Sequence, residues 1–374
     1  MSKKIKVLYF VDRLLIGGIQ TFILNNIKYI DRNKIEIDFL ILDDGNTYDT
    51  ENDLKKQGYN IYKLKNVWIR KPTDYFKYFK KIDKFFKEHH DYKVVHLHSS
   101  SKNFYVLKSA KKYGIPVRIA HSHNIGFQSK SKLQIMIGNL CKPLLKKYTT
   151  DYFACSEIAG EWLFGKKEVQ KNNVKVIHNA VDLKKFKFNE DTRNKIRKEL
   201  GIEDKLVIGH VGRFTTQKNH NFLIDIFNEI HKKNSNSVLM LVGTGEKEAE
   251  IHEKVKKIGL EESVLFIGFK NNVNEYMWAM DLFVFPSLFE GLGLVLIEAQ
   301  ATGMKCFTSK DVVPEEAKVS SLLRYISLND SAKLWADEIL KNKVVRNNKY
   351  KDIKEKGYDI CDTGKELEEF YINN

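Results

Sequence analysis

Along the chain, short runs of β-branched and aromatic residues alternate with stretches whose apolar positions recur at helical spacing. Ile5–Val11 is an apolar run of strand length. Beyond Gly17-Gly18, residues Ile19, Phe22, Ile23, Ile27 and Ile30 mark one face of a helix. Further strand-like runs fall at 35–42, 61–64, 94–98, 117–121, 152–156 and 174–178, with helical patterns between them, as at 75–87 and 131–147. After a charged stretch at 182–204 the alternation restarts, with strands expected at 206–212, 238–243, 264–267, 282–285 and 305–308. Such alternation predicts parallel sheets covered by helices on both faces. A chain of 374 residues is too long for one ordinary domain. The economical reading is two doubly wound α/β domains, 1–185 and 186–350, plus a polar helical segment, 351–374, that could return to the first. Ligands of open parallel sheets sit at the carboxyl ends of the strands, so the residues just after each strand matter most.

Composition narrows the partners without choosing one. The formal net charge is +15. That field favours nucleotides, phosphorylated lipids, an acidic membrane surface or nucleic acid. Solvated lysine-rich helix faces are the ordinary alternative for any single cluster. Cys141, Cys155, Cys306 and Cys361 lie far apart with no CxxC pair, as expected of free thiols in a reducing compartment. The first residues lack the long apolar core of a signal peptide, and no run approaches the ~20 apolar residues of a spanning helix. A cytoplasmic protein is expected.

Three motifs carry candidate chemistry. The run Glu290-Gly291-Leu292-Gly293-Leu294-Val295-Leu296-Ile297-Glu298 follows an apolar strand. Its glycines let a ligand approach the backbone, and a helix starting near Gly293 points its positive end at the same spot, which suits a phosphate. Glu290 in the loop and Glu298 one turn into the helix can both accept sugar or ribose hydroxyls. The second motif, Gly212-Arg213-Phe214-Thr215-Thr216-Gln217-Lys218-Asn219, sets two cations at the mouth of a helix. Arg213 as a planar fork and Lys218 as a point charge can hold a diphosphate. They would also neutralise the charge that grows on it when a sugar–phosphate bond breaks. The third, Gly17-Gly18, permits close backbone approach to a phosphate or sugar, although an ordinary tight turn reads the same way.

Histidines form a fourth set. His96 and His98 end one strand, and His121 and His123 end another, each pair on one strand face. A metal site is conceivable, but no nearby Cys or third ligand is evident, and local packing accounts for most of the set. His121 is the one expected at the active site, on the donor sugar's side of a cleft.

These residues resemble those of the family-4 retaining glycosyltransferases, which have two Rossmann-like domains facing a cleft, the GT-B fold. The likeness rests on Gly17-Gly18, Ala120-His121-Ser122-His123-Asn124, His178-Asn179-Ala180-Val181-Asp182, Gly212-Arg213…Lys218 and Glu290-x7-Glu298, and within the family it points to the capsule and exopolysaccharide branch. The resemblance implies that Arg213 and Lys218 hold the donor diphosphate. Glu298 would bind the ribose, Glu290 the transferred sugar, and the amides of Leu294 and Val295 the phosphate, while Phe269 would border the base. Alanine replaces the usual glycine at Ala180, and glycine stands at Gly293 where this branch often has proline, which would loosen that loop.

Retention of configuration, a UDP-sugar donor and a lipid-linked or saccharide acceptor are implied by resemblance alone. No DxD element occurs at a suitable loop, so catalysis without a metal or other cofactor is expected. Two basic amphipathic stretches, 75–87 and 130–147, suit peripheral docking on an anionic membrane at its inner face, with core packing as the competing reading of the first. The rival functions are a sugar-nucleotide epimerase of the same architecture and a basic nucleic-acid-binding protein. The second lacks any recognised binding module, so no nucleic-acid partner is expected.

Overall fold

The computed structural model describes residues 4–15, 17–65, 67, 74–127, 131–342 and 344–374. The chain forms two compact units. Unit 1 comprises Met1–Asn179 together with Ile360–Asn374, and unit 2 is Ala180–Asp359. The division thus lies between Asn179 and Ala180 rather than at 185. Residues up to Asp359, which sequence pattern assigned to the tail, stay with unit 2.

Unit 1 holds a seven-stranded parallel sheet. Its strands are β1 (Ile5–Val11), β2 (Ile35–Leu42), β3 (Asn60–Leu64), β4 (Val94–His98), β5 (Val117–Ser122), β6 (Asp151–Ala154) and β7 (Val174–Val176), in spatial order β3-β2-β1-β4-β5-β6-β7. Beyond Lys6, β1 is apolar because both its faces are covered. Leu8 and Phe10 enter one core with Leu40, Val95 and Leu97, whereas Val7, Tyr9 and Val11 enter another with Ile37, Phe39 and Ile41. Unit 2 repeats the plan with β8 (Leu206–Val211), β9 (Ser237–Val242), β10 (Val264–Gly268), β11 (Leu282–Phe285), β12 (Lys305–Ser309) and β13 (Leu323–Ile326), in order β10-β9-β8-β11-β12-β13. The strand not foreseen, β13, lies at the sheet edge. Arg324 on it is exposed, so its apolar signal is broken.

In both units the strand order reverses beside the first strand, between β1 and β4 and between β8 and β11. Chain leaving two neighbouring strands there diverges to opposite faces and opens a crevice at the carboxyl edge. The last helix, Ile360–Asn373, belongs to unit 1. Leu367 and Tyr371 fill its core, Thr363 Oγ1 donates to Asn26 Oδ1 at 2.9 Å, and the Asp31 amide donates to Glu368 at 2.7 Å.

Candidate active site

The crevice of unit 2 gathers most of the residues singled out by pattern. The loop after β8 carries Arg213 and a tight turn, Thr216–Lys218, into the helix His220–Lys233. The loop after β11 carries Glu290 and leads into the helix Leu294–Ala301. Backbone and side-chain bonds sew the two loops together. The Leu288 amide donates to Gln217 O at 2.8 Å, Gln217 Nε2 to Phe289 O at 2.8 Å and Asn219 Nδ2 to Pro286 O at 3.1 Å. At the junction Lys218 Nζ lies 2.6 Å from Glu290 Oε1 and 4.5 Å above the Phe285 ring. Arg213 is exposed and has no ion pair among the described residues. One cation is therefore held in place by a carboxylate while the other is left for a ligand.

Gly293 precedes the helix at φ 77°, in the left-handed region that proline cannot enter. Its glycine therefore sets the turn, where a looser loop was expected. The first-turn amides of Leu294 and Val295 have no acceptor within their own helix. Glu298 sits one turn on, half-buried, with burial pushing its carboxyl up to about 7 against the pull of Lys185. Phe269, directly after β10, is 71% exposed and offers a flat apolar face.

Sequence reading missed the support of the Arg213 loop. A Cβ on Gly243 would lie 2.2 Å from Gly212 O, and one on Gly245 would lie 2.6 Å from Phe214 O. The loop after β9 therefore presses directly on the backbone that carries Arg213, which the Gly-Thr-Gly after a buried strand could have signalled. Beneath that backbone His210 donates from Nδ1 to Val284 O at 2.9 Å, and its Nε2 has no partner. His220 packs flat on Phe214 at 4.1 Å. Burial keeps His210 well below the usual imidazole range and brings His220 down to about 4, so both are neutral near pH 7.

Gly17, Gly18 and His121 belong to unit 1. Gly17 is extended (φ −166°), and a Cβ on Gly18 would meet nothing within 4 Å. Neither torsion nor packing at Gly18 requires glycine, and its backbone is left open. His121 is enclosed rather than set on a surface, at 1% exposure. The four histidines form two tiers. His96 Nε2 is 3.1 Å from His121 Nδ1, and His98 Nδ1 is 2.9 Å from His123 Nε2. The tiers stack at 4.0 and 4.1 Å between ring centres. Ligand nitrogens of His96, His98 and His121 lie within 4.8 Å of one another. His98 Nε2 and His121 Nε2 have no partner, but both nitrogens of His96 are engaged, with Tyr371 and with His121, so His96 would have to give up a hydrogen bond to bind an ion. Burial holds His96, His98 and His121 well below the usual range, and His123 down to about 3.

Unit 1 has its own crevice where β1 and β4 part. A cavity of about 280 Å³ is lined by Asp12, Arg13, Asp44, Lys102 and Asn103, among others. Asp12 accepts from Ser99 Oγ at 2.6 Å and Asn103 Nδ2 at 2.7 Å, and burial raises its carboxyl.

Comparison with known proteins agrees with this architecture. Residues 192–359 match the family described as Glycosyl transferases group 1, and residues 16–185 match Glycosyltransferase Family 4. EpsF of Bacillus subtilis (strain 168), which carries a glycosyltransferase name, is 31% identical over 96% of this chain and 94% of its own length. The UDP-Gal:alpha-D-GlcNAc-diphosphoundecaprenol alpha-1,3-galactosyltransferase of Escherichia coli is 26% identical over 82% of this chain and 79% of its own. Among solved structures, Anabaena Alr3699/HepE in complex with UDP superposes with a TM-score of 0.77 at 18% identity, covering all of both chains. Two Rossmann-like units together with these matches define the class as glycosyltransferases. The chain belongs to the family-4, group 1 glycosyltransferases, and it is a glycosyltransferase.

Proposed function

We propose that this glycosyltransferase moves a sugar, with retention, from a UDP-sugar to a lipid-linked or saccharide acceptor in cell-surface polysaccharide synthesis, without a metal. The observation that carries the donor assignment is the Lys218–Glu290 contact beside an exposed Arg213, at a helix tip in the unit 2 crevice. An arriving diphosphate takes Lys218 from Glu290 and meets Arg213 and the Leu294 and Val295 amides. Negative charge growing on the leaving group is then neutralised by groups already in position. The exchange frees the Glu290 carboxylate to accept sugar hydroxyls, and Glu298 accepts those of the ribose. Phe269 provides a face for the base. UDP is favoured over other nucleotides because the E. coli relative is named for UDP-Gal and HepE was solved with UDP.

The acceptor belongs in the unit 1 crevice, where Asp12 can accept a hydroxyl and Lys102 can face an anionic group. His121 is the unit 1 residue assigned to the sugar, and Gly17-Gly18 offers open backbone. Of the two basic stretches, the first is core-packed: Tyr78, Ile82 and Phe86 are fully buried. The second differs. On the helix Lys132–Tyr148, Leu133, Met136, Leu140 and Leu144 are exposed at helical spacing, with Lys146 and Lys147 at its end. Such a stripe suits an anionic membrane carrying a lipid-linked acceptor. Lys130, the first residue of that stretch, lies outside the described residues. No helix among the described residues is long and apolar enough to cross a membrane.

A panel of nucleotide sugars, with and without EDTA, read by released nucleotide and by mass spectrometry of the product, tests the proposal. Transfer from a UDP-sugar that survives EDTA is expected. Strict dependence on Mn²⁺ or Mg²⁺, or use of GDP-mannose alone, refutes it.

A further inference from the structure

One fixed hydrogen-bond network shapes the cavity of unit 1. Asp12 directly follows β1 and Ser99 directly follows β4, so the reversal of strand order sets them side by side. Asn103 Nδ2 donates to Asp12 Oδ1 and to Ser99 Oγ, both at 2.7 Å, and Ser99 Oγ donates to the same Asp12 oxygen at 2.6 Å. Tyr78, fully buried, donates from Oη to Asn103 Oδ1 at 2.8 Å. Turning the Asn103 amide over would set its oxygen against a carboxylate oxygen, so its orientation is locked. Both donors therefore converge on Asp12 Oδ1, and Oδ2 takes no bond from the described residues. Elsewhere on the lining Lys102 Nζ donates to Gln134 Oε1 at 3.0 Å, which leaves two Lys102 protons and the Gln134 amide nitrogen open among the described residues. Asp44 is taken up by Tyr48 at 2.5 Å and Arg13 at 3.4 Å, and Asp43 accepts the Gly45 amide at 3.0 Å. On the described lining, Asp12, Asp43 and Asp44 outnumber Arg13 and Lys102. That balance disfavours a phosphate here, although the chain as a whole carries +15.

We propose that this cavity recognises one neutral sugar ring of the acceptor, and that Asp12 selects the ring by accepting a hydrogen bond from a single hydroxyl at Oδ2. The inference rests on the proposed function for its acceptor and goes beyond it in naming the group that is read. Every residue involved belongs to unit 1, so no part of unit 2 enters. The volume of about 280 Å³ equals the share of about nine waters at ~30 Å³ each, which is room for one ring. Tyr75 supplies an aromatic wall, and Leu42 and Val67 supply apolar surface for the C–H faces of a sugar. A hydroxyl both donates and accepts, so neighbouring hydroxyls can serve Asp12 Oδ2 and Lys102 or Gln134 together. Selectivity follows from the bare oxygen. When the matching hydroxyl is missing, a carboxylate oxygen is covered without a partner, a loss of about 10–100-fold in affinity.

Asp12→Asn separates this role from a merely structural one. Ser99 and Asn103 still need an acceptor at the Oδ1 position, so the substituted amide keeps its oxygen there and turns its nitrogen into the cavity. The position then donates where the native chain accepts. Methyl glycosides of glucose, galactose, N-acetylglucosamine and N-acetylgalactosamine are titrated against the full chain by saturation-transfer NMR at about pH 8, above the carboxylate range. Deoxyfluoro analogues of the best binder follow, because fluorine cannot donate. At one ring position, fluorine should weaken binding to the native chain about tenfold or more, and to Asp12→Asn by no more than about twofold. A structural role alone would weaken parent and analogue alike. Lys102→Met leaves the Asp12 network intact and should weaken the parent glycoside about tenfold, which keeps the test open if Asp12→Asn does not fold. Four results overturn the inference: no glycoside binds, fluorine costs the native chain and Asp12→Asn equally, Lys102→Met binds as the native chain does, or inorganic pyrophosphate displaces the glycoside. The titrations need no donor. Binding without transfer from any UDP-sugar would count against the proposed function alone, and transfer without glycoside binding against this inference alone.

Discussion

Burying three imidazoles in unit 1 and half-burying a fourth, His123, makes its stability depend on pH, and His123 gives the cleanest measure. Its imidazole, at 6.5 in the unfolded chain, is brought down to about 3 by burial among Phe22, His98 and His121. The folded chain therefore refuses a proton that the unfolded chain accepts between those values. The stability this group contributes is whole above about pH 6.5 and drains away as pH falls toward about 3, at ~1.4 kcal/mol per pH unit. Between about pH 6.5 and about pH 4.5 the loss from His123 alone is ~2.3 kcal/mol, a large part of an ordinary domain's 5–15 kcal/mol. His96, His98 and His121 act with the same sign. Glu298, held protonated up to about 7 by burial, acts with the opposite sign in unit 2. Comparing the native protein with His123→Gln cancels these shared contributions. Urea unfolding, followed by amide exchange of unit 1 peptides from about pH 6.5 to about pH 5, should give a slope shallower in the variant by ~1.1 kcal/mol per pH unit. Equal slopes would refute the assignment of a neutral, buried His123.

Four other perturbations test the site. Arg213→Ala should lower kcat/KM for the donor by about 10²-fold or more, as removal of a charge-stabilising donor does elsewhere, and full activity would remove Arg213 from the diphosphate site. Free Glu298 carries a proton below about 7, whereas a ribose needs its carboxylate, so UDP should bind up to about tenfold more weakly per pH unit below that value. Calorimetry should show this dependence vanish in Glu298→Gln, and a dependence that persists unchanged would refute it. Gly243→Ala drives a Cβ into Gly212 O and should cost about 1–3 kcal/mol in thermal unfolding while weakening UDP binding. A normal melting temperature with normal binding would contradict that close approach. Leu140→Glu should abolish flotation with anionic vesicles at low salt and leave donor hydrolysis intact, and equal flotation of both proteins would dismiss the docking stripe.

Much of this molecule was legible in its pattern because most of its strands are buried on both faces. Apolar runs such as Ile5–Val11 and 282–285 stand out from the amphipathic helices between them. The donor crevice was legible for a related reason. Its glycines and charges follow strands directly, so Arg213, Lys218 and Glu290 could be placed at one sheet edge before their contacts were known. What stayed hidden depends on pairings between distant parts of the chain. Nothing local announces that Gly243 supports Gly212, that His121 lies enclosed against Phe22, or that Tyr371 meets Tyr9 across 362 positions. The edge strand Leu323–Ile326 escaped because an exposed Arg324 interrupts it.

The helix Ile360–Asn373 gives the chain a particular order of assembly. Unit 2 is one continuous piece, Ala180–Asp359, that falls in the sequence between the two segments of unit 1. Every residue of unit 2 precedes in the chain the helix that completes unit 1. Unit 1, although begun first, waits for Leu367 and Tyr371 to close its core. A chain cut after Asn179 would thus leave an open apolar slot and the Tyr9 hydroxyl without its Tyr371 partner.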